Sequence, residues 1–409
     1  MSTDKKNIVV VGGSYGGISS AHHILKHTIP QLPDKSTYQV ILVSPSTEVV
    51  NRPACPRALI SDDMFPQDKL FVSIPKSFAQ YPSENFLFLH GTATHLDHTN
   101  RQITISLVTN ETNTLTYYAL IVATGASTPS PLLGLTSDTP FLRQSWTALR
   151  QALPNTKTIL IAGGGPAGVE TAGELGEHLN GRSSSPATAK VRITLVTSGP
   201  HLLPHLRPSL AARAQSLLAK LGVTVLTNTR VVSIDPPAAG AADTHLTVPT
   251  TVTLDDGRTL TADLYIPATG TTPNTGFLDA SLLRADDRRV ETNPSTLRVE
   301  RAGTRVYAIG DCSTYARPAV HNIVAAVPVL GANVRHDLLI ACGRDESTVG
   351  GDKIFKEDTR EGQLVPIGKS KGVGALMGYK VPGFVVWLMK GRDYWMWMVG
   401  GIWSGKQWA

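Results

Sequence analysis

Cysteine is scarce in this chain, and its scarcity excludes several kinds of site. The 409 residues contain only Cys55, Cys312 and Cys342, too few and too scattered for a disulfide framework or a four-ligand zinc site. No two of them lie close in sequence, so the pair of cysteines that a dithiol mechanism needs is not evident. We therefore expect an intracellular protein without a metal site.

The sequence has no concentrated run of charge of one sign, and its amino end is not typical of a secretory leader. Lys and Arg number 38 against 32 Asp and Glu, and the net charge of +6 is spread along the sequence. No basic run is interleaved with the aromatic residues that nucleic-acid binding uses. The first apolar run, IVVVGG, is typical of a strand entering a turn rather than of a signal peptide. We expect a cytoplasmic protein that is not secreted and has no nucleic-acid partner.

A glycine-rich stretch in the middle of the chain is typical of a dinucleotide site. The segment TILIAGGGPAGVETAGEL, residues 158–175, runs from an apolar strand through a turn into helix-forming residues. In the spacing G-x-G-x-x-G, the first glycine makes a tight turn, the second lets the backbone approach a pyrophosphate, and the third lets helix and strand pack closely. The three glycines here are Gly163, Gly165 and Gly168.

The amino end carries a variant of the same pattern. The segment VVVGGSYGGISSA, residues 9–21, has Gly12 and Gly17 in the first and third positions but Ser14 in the middle. We interpret Ser14 as a tolerated variant, because serine is a small residue that can hydrogen-bond. Two such motifs, each between a strand and a helix, predict an α/β fold with two Rossmann-like dinucleotide-binding domains.

Each motif is followed by a second predicted strand that does not end in an acid. The strands YQVILVS and VRITLVTS end near Ser44 and Ser198, where an acidic residue normally binds a ribose hydroxyl. At the second site Thr197 takes that place, and the nearest downstream cations are His201 and Arg207. This pattern weakens a preference for NADH and lets NADPH compete. Simple loop starts at the two serines are the alternative interpretation.

Three further strand ends complete a recurring order. ALIVATGAS, residues 119–127, and LYIPATGTTP, residues 264–273, each deliver Ala-Thr-Gly into a turn, and RVYAIGDCS, residues 305–313, ends in Gly-Asp. The order of these elements resembles that of the two-dinucleotide-binding-domain flavoprotein reductases over most of residues 8–335. Two segments are similar to the apoptosis-inducing-factor-like, ferroptosis-suppressor-type branch in its fungal form. They are SPSTEVVNRPACPRAL and the aromatic tail VPIGKSKGVGALMGYKVPGFVVWLMKGRDYWMWMVGGIWSGKQW, residues 365–408.

The resemblance implies FAD and either NADH or NADPH as cofactors, and it implies which residues bind them. The FAD pyrophosphate is expected at the first glycine motif, the ribityl chain at Asp311, and the nicotinamide dinucleotide at the second motif. The full set of implied cofactor-binding residues is Gly12, Ser14, Gly17, Arg57, Ala93, Thr124, Gly125, Gly163, Gly165, Gly168, Thr197, Thr269, Gly270, Gly310 and Asp311.

Catalytic residues are implied at two places. Glu170, just after the second motif, matches a glutamate that lies near nicotinamide and flavin in related enzymes, although an acid stabilised by the helix dipole is an equal alternative. His321 and Asn322 stand near the start of a helix whose amino end is expected to face the flavin. For His321 an ordinary structural histidine is the alternative, and Cys55 has a minor alternative as a lone redox cysteine.

The carboxyl end is rich in aromatic residues. Five of the six tryptophans fall in the last 23 residues, where Lys390, Arg392 and Asp393 interrupt any apolar run before the ~18 residues that a membrane span needs. The segment therefore suits either a peripheral membrane contact, with tryptophan at headgroup depth, or an aromatic hairpin that closes the active site or a homodimer interface. The tryptophans are Trp387, Trp395, Trp397, Trp403 and Trp408.

These interpretations combine into a domain plan and a function. We expect an FAD-binding domain from residues 1–140 and 275–345, an NAD(P)H-binding domain from 141–274, and a carboxyl-terminal segment from 346–409. The predicted function is transfer of hydride from NAD(P)H through flavin to a quinone-like or other conjugated acceptor, including a tailoring step in fungal secondary metabolism. The alternatives are a flavin monooxygenase and a non-enzymatic binding protein that keeps the fold.

Overall fold

The computed structural model describes residues 5–409, which form several sheets and the helices that cover them. The strands, in chain order, are β1 (Lys6–Val11), β2 (Tyr38–Ser44), β3 (Glu48–Val50), β4 (Phe71–Ser73), β5 (Phe86–Asp97), β6 (Gln102–Leu107), β7 (Thr112–Thr116), β8 (Ala119–Val122), β9 (Ala126–Ser127), β10 (Thr158–Ala162), β11 (Arg192–Val196), β12 (Val223–Leu226), β13 (Val231–Asp235), β14 (Thr250–Leu254), β15 (Thr259–Ala262), β16 (Leu264–Pro267), β17 (Thr272–Pro273), β18 (Val306–Ala308), β19 (Gln363–Ile367), β20 (Lys371–Leu376) and β21 (Tyr379–Lys380).

The helices range from single turns to one of six turns, and short 3₁₀ and π turns lie between them. The α-helices are α1 (Tyr15–His23), α2 (Cys55–Ala58), α3 (Gln67–Leu70), α4 (Ile74–Phe78), α5 (Thr139–Ala152), α6 (Pro166–Asn180), α7 (Pro208–Ala219), α8 (Val320–Ala341), α9 (Glu346–Val349), α10 (Gly383–Val386) and α11 (Met396–Trp403).

The first sheet contains the amino-terminal glycine motif. Its strand order is β18-β8-β1-β2-β5-β6-β7, with parallel pairing from β18 to β5 and antiparallel pairing from β5 to β7. Val9 of β1 pairs with Ile41 on one side and Leu120 on the other. β1 is buried along Ile8–Val11, which explains its continuous apolar sequence, because a central parallel strand is covered on both faces.

The second sheet contains the other glycine motif. It is parallel, in the order β12-β11-β10-β16, and Ile161 of the central strand β10 pairs with Leu195 and Ile266. A small antiparallel sheet of β13, β14 and β15 precedes β16 in the chain. In both sheets a central parallel strand leads through a glycine turn into a helix, so the predicted α/β fold with two Rossmann-type units is confirmed.

The chain returns to the first sheet after it has built the second. β18 pairs with β8, and the long helix α8 then packs against α1. Two short strands, β9 and β17, pair where the chain crosses between the sheets. This order is the one that a discontinuous FAD-binding domain requires, whereas the domain bounds given above stay a prediction.

The helix α8 is long and apolar enough to span a membrane on length and composition alone, and it alone among residues 5–409 has these properties. Nearly half of this apolar stretch is buried, with Val327, Leu330 and Val334 inaccessible to solvent. We interpret α8 as a core helix of the first nucleotide-binding unit, because it is buried against α1.

The carboxyl-terminal segment packs against both units. The antiparallel strands β19–β21 lie against α6 and α7, whereas α11 lies against α1. Trp403 is fully buried, and its ring centroid lies 4.6 Å from that of Tyr15 at the start of α1. His22 of α1 also contacts the carbonyl oxygen of Trp403 at 2.9 Å through Nε2. The tail is therefore an integrated part of the fold.

Candidate active site

One large cleft brings the predicted motifs together. Its volume is about 1660 Å³, beyond the ~300–1,000 Å³ of an ordinary small-molecule pocket, and it includes the turns that follow β1, β8, β10, β16 and β18. The predicted site residues that line it are Gly12, Ser14, Ala93, Thr124, Gly125, Gly163, Gly165, Glu170, Thr197, Thr269, Gly270, Gly310 and Asp311. The size of the cleft suits two dinucleotides.

The first glycine of each motif is held against an Ala-Thr-Gly turn. Gly12 has φ of +120°, and a Cβ on it would lie 2.2 Å from the carbonyl oxygen of Ala123. Gly163 has φ of +122°, and a Cβ on it would lie 2.1 Å from the carbonyl oxygen of Ala268. A side chain is excluded at both positions by backbone conformation and by space. The repeated Ala-Thr-Gly segments therefore pair with the glycine motifs for a steric reason.

The third glycine of each motif has a packing role. A Cβ on Gly17 would lie 1.7 Å from the carbonyl oxygen of Gly12, and one on Gly168 would lie 1.9 Å from that of Gly163. Neither residue lines the cleft. Their absence of a side chain lets α1 and α6 lie close to β1 and β10, so any effect of these residues on a cofactor is indirect.

The middle position differs between the motifs. Ser14 and Gly165 are the N-cap residues of α1 and α6, and both have extended backbones. A Cβ added to Gly165 would meet no atom within 4 Å, so the protein itself does not require glycine there. The amino ends of both helices open on the cleft, where unpaired backbone N–H groups and the helix dipole favour a pyrophosphate. This arrangement fits FAD at the first motif.

Arg57, which the resemblance places beside the flavin nucleotide, does not line the cleft. Arg57 is buried outside the cleft lining, and its Nη2 donates to Glu174 Oε1 at 2.7 Å. Its Nη1 donates to the carbonyl oxygen of Gly391 at 2.7 Å. Arg52, from the same segment, lines the cleft instead, with Nη1 3.6 Å from Asp311 Oδ2. Arg57 is a structural ion-pair residue because a buried carboxylate on α6 faces it.

A second buried ion pair lies at the wall of the cleft. Lys390 Nζ is 2.6 Å from Glu170 Oε1, and the side chains are 7% and 4% exposed. Lys390 Nζ also lies 3.2 Å from the carbonyl oxygen of Leu364. Burial raises the pKa of Glu170 to about 7, although the charge of Lys390 opposes that rise. Both residues line the cleft, so the carboxyl group can exchange a proton near neutral pH.

Glu170 does not belong to the first turn of its helix. The helix α6 begins at Pro166, and its first turn holds no acidic residue. Its direct contact with Lys390 therefore accounts for its position better than the helix dipole does. Sequence reasoning missed Lys390, which lies in a π-helical turn, Trp387–Gly391, of the tail. No local signal distinguishes this lysine from the others in the tail.

Hydrogen bonds of Tyr394, whose backbone N–H donates to the carbonyl oxygen of Lys390 at 2.6 Å, connect this turn to both units. Tyr394 donates its hydroxyl to Glu174 Oε1 at 3.1 Å, and Asn51 Nδ2 donates to the carbonyl oxygen of Tyr394 at 2.8 Å. Tyr15, beside Ser14 in the first motif, donates its hydroxyl to Asn51 Oδ1 at 2.8 Å. This chain of contacts links the first glycine motif to the turn that carries Lys390.

His321 and Asn322 do not face the cleft. His321 is exposed and Asn322 is buried, but neither is among the lining residues. Asn322, in the first turn of α8, donates from Nδ2 to the carbonyl oxygen of Arg317 before the helix at 2.9 Å. Pro318, Ala319, Val320 and Ile323 line the cleft there instead. The amino end of α8 thus reaches the cleft, whereas the two side chains predicted to be catalytic do not.

The cysteines are separate, and the two that are fully buried are unsuited to redox exchange. Cys55 is fully buried, and burial raises its pKa to about 12, so the reactive thiolate is disfavoured. Cys312 is also buried, and burial raises its pKa. Cys342 lies 3.1 Å from the hydroxyl of Tyr38, outside the cleft. All three thiols are free, and the lone redox-cysteine alternative for Cys55 has no support.

A cluster of possible metal ligands lies away from the cleft. His336, Asp337 and Asp352 bring ligand atoms within 4.8 Å of one another. Arg298 binds both carboxylates, with Nη2 2.6 Å from Asp337 Oδ1 and 2.6 Å from Asp352 Oδ1. The guanidinium supplies the positive charge that a cation would otherwise provide, so we interpret the cluster as an ion-pair network.

Two dinucleotide-type turns that open on one cleft, with a buried acid–lysine pair at its wall, define a class of two-nucleotide oxidoreductases. The family model for pyridine nucleotide-disulphide oxidoreductases matches residues 6–328. The chain belongs to this family. It is an FAD-dependent oxidoreductase that uses NADH or NADPH, as the resemblance implied, although its cysteines do not provide the disulphide of the family's name.

Two relatives and one solved structure are similar to this chain over most of its length. The chain is 59% identical over 412 residues to oxidoreductase phnG of Penicillium herquei, covering 100% of this chain and 98% of the relative. It is 24% identical to human ferroptosis suppressor protein 1, covering 95% and 93%. The sulfide:quinone oxidoreductase of Aquifex aeolicus has the same fold, with a TM-score of 0.69 at 15% identity and coverage of 98% and 92%.

Proposed function

We propose that this protein transfers reducing equivalents from NADH or NADPH, through FAD, to a quinone-like conjugated acceptor. The observation that carries the proposal is the buried Glu170–Lys390 pair, which lies at the wall of a cleft that both glycine motifs share. The name of the Aquifex neighbour, a sulfide:quinone oxidoreductase, supports the same acceptor class. No buried thiol pair among residues 5–409 offers an alternative route for the electrons.

The first motif is the site that we assign to FAD. Gly12 and Ser14, with the amino end of α1, would hold its pyrophosphate, and Asp311 would accept hydrogen bonds from its ribityl chain. Gly125 and Gly310, which also line the cleft, would flank the nucleotide. Bound FAD supplies hydride acceptance from the nicotinamide and electron return to the acceptor.

The second motif is the site that we assign to the nicotinamide dinucleotide. Gly163 and Gly165, with the amino end of α6, would hold its pyrophosphate. Thr269 and Gly270, at the end of β16, line the same side of the cleft. Because both motifs open on one cleft, a dinucleotide at each would bring the two reacting rings together.

Glu170 is the group that we assign to proton supply. Reduction of a quinone to a hydroquinone takes up two electrons and two protons, whereas NADH or NADPH gives two electrons and one proton as hydride. The second proton must come from the protein or from water. The pKa of Glu170, raised to about 7 by burial, suits a general acid at neutral pH. Lys390 would hold that carboxyl group and stabilise negative charge on the acceptor oxygen.

We propose a peripheral membrane contact for exposed apolar side chains near the end of the tail. Trp403 and Trp408 are buried in the fold, whereas Phe384 and Trp397 are 68% and 59% exposed. We define the aromatic patch as the exposed apolar side chains from residue 377 onward, which suit a lipid interface. Its members are Met377, Tyr379, Phe384, Trp387, Leu388 and Trp397.

A vesicle experiment tests this contact. The double variant Phe384→Glu, Trp397→Glu is compared with Val108→Glu, which changes an apolar side chain that is 58% exposed and outside the patch. Co-sedimentation with anionic vesicles should fall about tenfold in the double variant and not in the control. Equal co-sedimentation of all three proteins would contradict the membrane contact, and a shift of the double variant from dimer to monomer would assign the patch to a homodimer instead.

The acceptor itself is tested with a panel. We propose that the reaction is a tailoring step in fungal secondary metabolism and that the protein lies in the cytoplasm. The panel of acceptors therefore contains a hydroxylated naphthoquinone, a short-chain ubiquinone and oxygen. Oxidation of NAD(P)H should be at least about tenfold faster with a quinone than with oxygen alone. Turnover that consumes oxygen and inserts it into an organic product would instead identify a monooxygenase. A purified protein that rejects FAD would contradict the enzyme assignment.

A further inference from the structure

The carboxyl end of β11 lacks the acid that normally binds the adenosine ribose of NADH. Thr197 and Ser198 follow the strand and both line the cleft. Within residues 5–409, neither hydroxyl has a protein hydrogen-bond partner, whereas Ser44 at the equivalent end of β2 donates to the carbonyl oxygen of Ser46 at 2.9 Å. The two hydroxyl groups are therefore available to a ligand.

The loop after β12 adds a cation beside these hydroxyls. Thr229 donates its backbone N–H to the carbonyl oxygen of Thr197 at 3.0 Å, and Asn228 donates to that of Gly199 at 2.9 Å. These bonds hold Arg230 next to the end of β11, where it lines the cleft and is exposed. Arg230 makes no salt bridge within the described part of the chain. Its only acidic contact is through the backbone N–H, which donates to Asp255 Oδ1 at 2.9 Å.

Two other basic residues lie near this end of β11. Arg207 is already bound to protein groups, whereas His201 has a ring nitrogen available to a ligand. Arg207 is 2.7 Å from Glu361 through Nε, and its Nη2 donates to the carbonyl oxygen of Gly378 at 2.5 Å. It does not line the cleft. His201 does, and its Nδ1 lies 2.9 Å from the carbonyl oxygen of Leu202. As the Nδ1–H tautomer, His201 keeps Nε2 for a further partner.

The charges of the cleft leave this end positive. The carboxylates in the lining are Glu170 and Asp311. Glu170 is paired with Lys390 at 2.6 Å, and Asp311 lies 3.6 Å from Arg52. Arg230 is thus the lining arginine whose charge is not balanced by a neighbouring lining carboxylate. A doubly charged phosphate that binds here would meet an arginine fork and two hydroxyl donors, without a carboxylate in the lining to repel it.

We propose that Arg230, Thr197 and Ser198, with His201, form the subsite for the adenosine 2′-phosphate of NADPH, and that NADPH is therefore the preferred donor. This inference rests on the assignment of the second motif to the nicotinamide dinucleotide. It goes further because it names the donor and the residues that select it. A 2′-hydroxyl, as in NADH, would leave the Arg230 guanidinium without an anionic partner, which is the basis of the selection.

Binding of fragments tests the subsite without turnover. Calorimetry of the FAD-loaded protein with 2′,5′-ADP and with 5′-AMP should give at least about tenfold tighter binding of 2′,5′-ADP. Arg230→Ala should remove that difference and leave 5′-AMP binding unchanged, and Arg230→Lys should restore part of it. Arg213→Ala, which changes an exposed arginine on α7 outside the cleft, should behave as wild type. Equal binding of the two fragments by wild type would overturn the proposal.

Flavin reduction separates failure of the subsite from failure of the proposed function. Anaerobic bleaching of the flavin should favour NADPH over NADH by at least about tenfold in wild type, and Thr197→Asp should reverse the order by repelling the phosphate and binding the ribose. If both nicotinamides bleach the flavin equally in wild type and in Arg230→Ala, the subsite is wrong while the oxidoreductase function stands. If neither bleaches it, the proposed function fails, and with it the inference.

Discussion

The two glycine turns of this protein are nearly identical where the protein itself needs glycine and differ where only a ligand would need it. Gly12 and Gly163 have φ of +120° and +122°, and each faces the carbonyl oxygen of an alanine in an Ala-Thr-Gly turn. Ser14 and Gly165 differ, yet a side chain at 165 would meet no protein atom within 4 Å. The first and third glycines are therefore constraints of folding, and the middle one is a constraint of binding.

The ends of β2 and β11, the strands beside the two turns, also differ in the groups that they leave free for a ligand. Gly13 approaches Ser44, and Gly164 approaches Thr197, so that an added Cβ would lie 2.4 and 2.5 Å from the respective hydroxyl oxygens. The Ser44 hydroxyl is used within the protein, whereas that of Thr197 is not. The same backbone plan thus leaves different groups free, and this difference gives the second site its proposed choice of donor.

The largest effect is expected from alanine at the first glycine of each motif. A Cβ there collides with backbone, and the positive φ adds strain, so each change should cost several kcal/mol locally. Gly12→Ala should lose bound flavin, seen as a fall in the ratio of flavin to protein absorbance. Gly163→Ala should keep flavin but slow its bleaching by NADPH at least ~100-fold. Loss of flavin from Gly163→Ala with normal binding in Gly12→Ala would reverse the assignment of the two sites.

A smaller effect is expected from a change in the Glu170–Lys390 pair, which lies at the wall of the cleft that both motifs share. Lys390→Met leaves the buried carboxyl group without its cation, so the pKa of Glu170 should rise further, because the charge of Lys390 lowers it in wild type. Quinone reduction should slow by about 10- to 100-fold, because Glu170 becomes a weaker acid and Lys390 no longer stabilises negative charge on the acceptor oxygen. Flavin bleaching by NADPH should change little. The control is Lys371→Met at an exposed lysine of β20. Equal loss in both half-reactions would indicate general damage to the fold.

The pH dependence of the same step follows from the raised pKa. If protonated Glu170 supplies a proton, quinone reduction should be constant well below pH 7 and fall about tenfold per unit above it. Glu170→Gln should be slower and lose this inflection. A folded-state pKa of about 7, against an ordinary value of 4.5, also means that the folded state binds more protons. This residue's contribution to stability should therefore fall as pH rises from about 4.5 to 7.

The smallest effect is expected at the middle positions. Ser14→Gly should keep flavin, and Gly165→Ser should weaken NADPH binding by less than about tenfold, because the protein has room for either residue. Titrations of flavin content and of NADPH affinity check the two changes. Complete loss of NADPH binding in Gly165→Ser would contradict this expectation, because it would show that the ligand leaves no room for a hydroxymethyl group at the second motif, although the first motif carries serine.

Local features of this molecule could be predicted from its sequence, and long-range pairings could not. The glycine turns, the Ala-Thr-Gly strand ends and Asp311 fall within short segments whose backbone needs are visible in a few residues. Arg57 was predicted to lie beside the flavin nucleotide, but it is buried outside the cleft lining. The sequence near Arg57 does not show this, because its burial depends on Glu174, 117 positions away. Lys390 was missed because its partner Glu170 lies 220 positions away. A charged residue in a tail has no local mark of the acid that it meets.

The measurement that tests the central claim most directly is an anaerobic double-mixing experiment on the flavin-loaded protein. One equivalent of NADPH is added first, and a short-chain quinone is added after the flavin absorbance has bleached. Our account predicts full bleaching in the first mix and rapid return of the flavin absorbance in the second, slowed in Lys390→Met. A bleached flavin that the quinone does not restore, but that oxygen does, would contradict it.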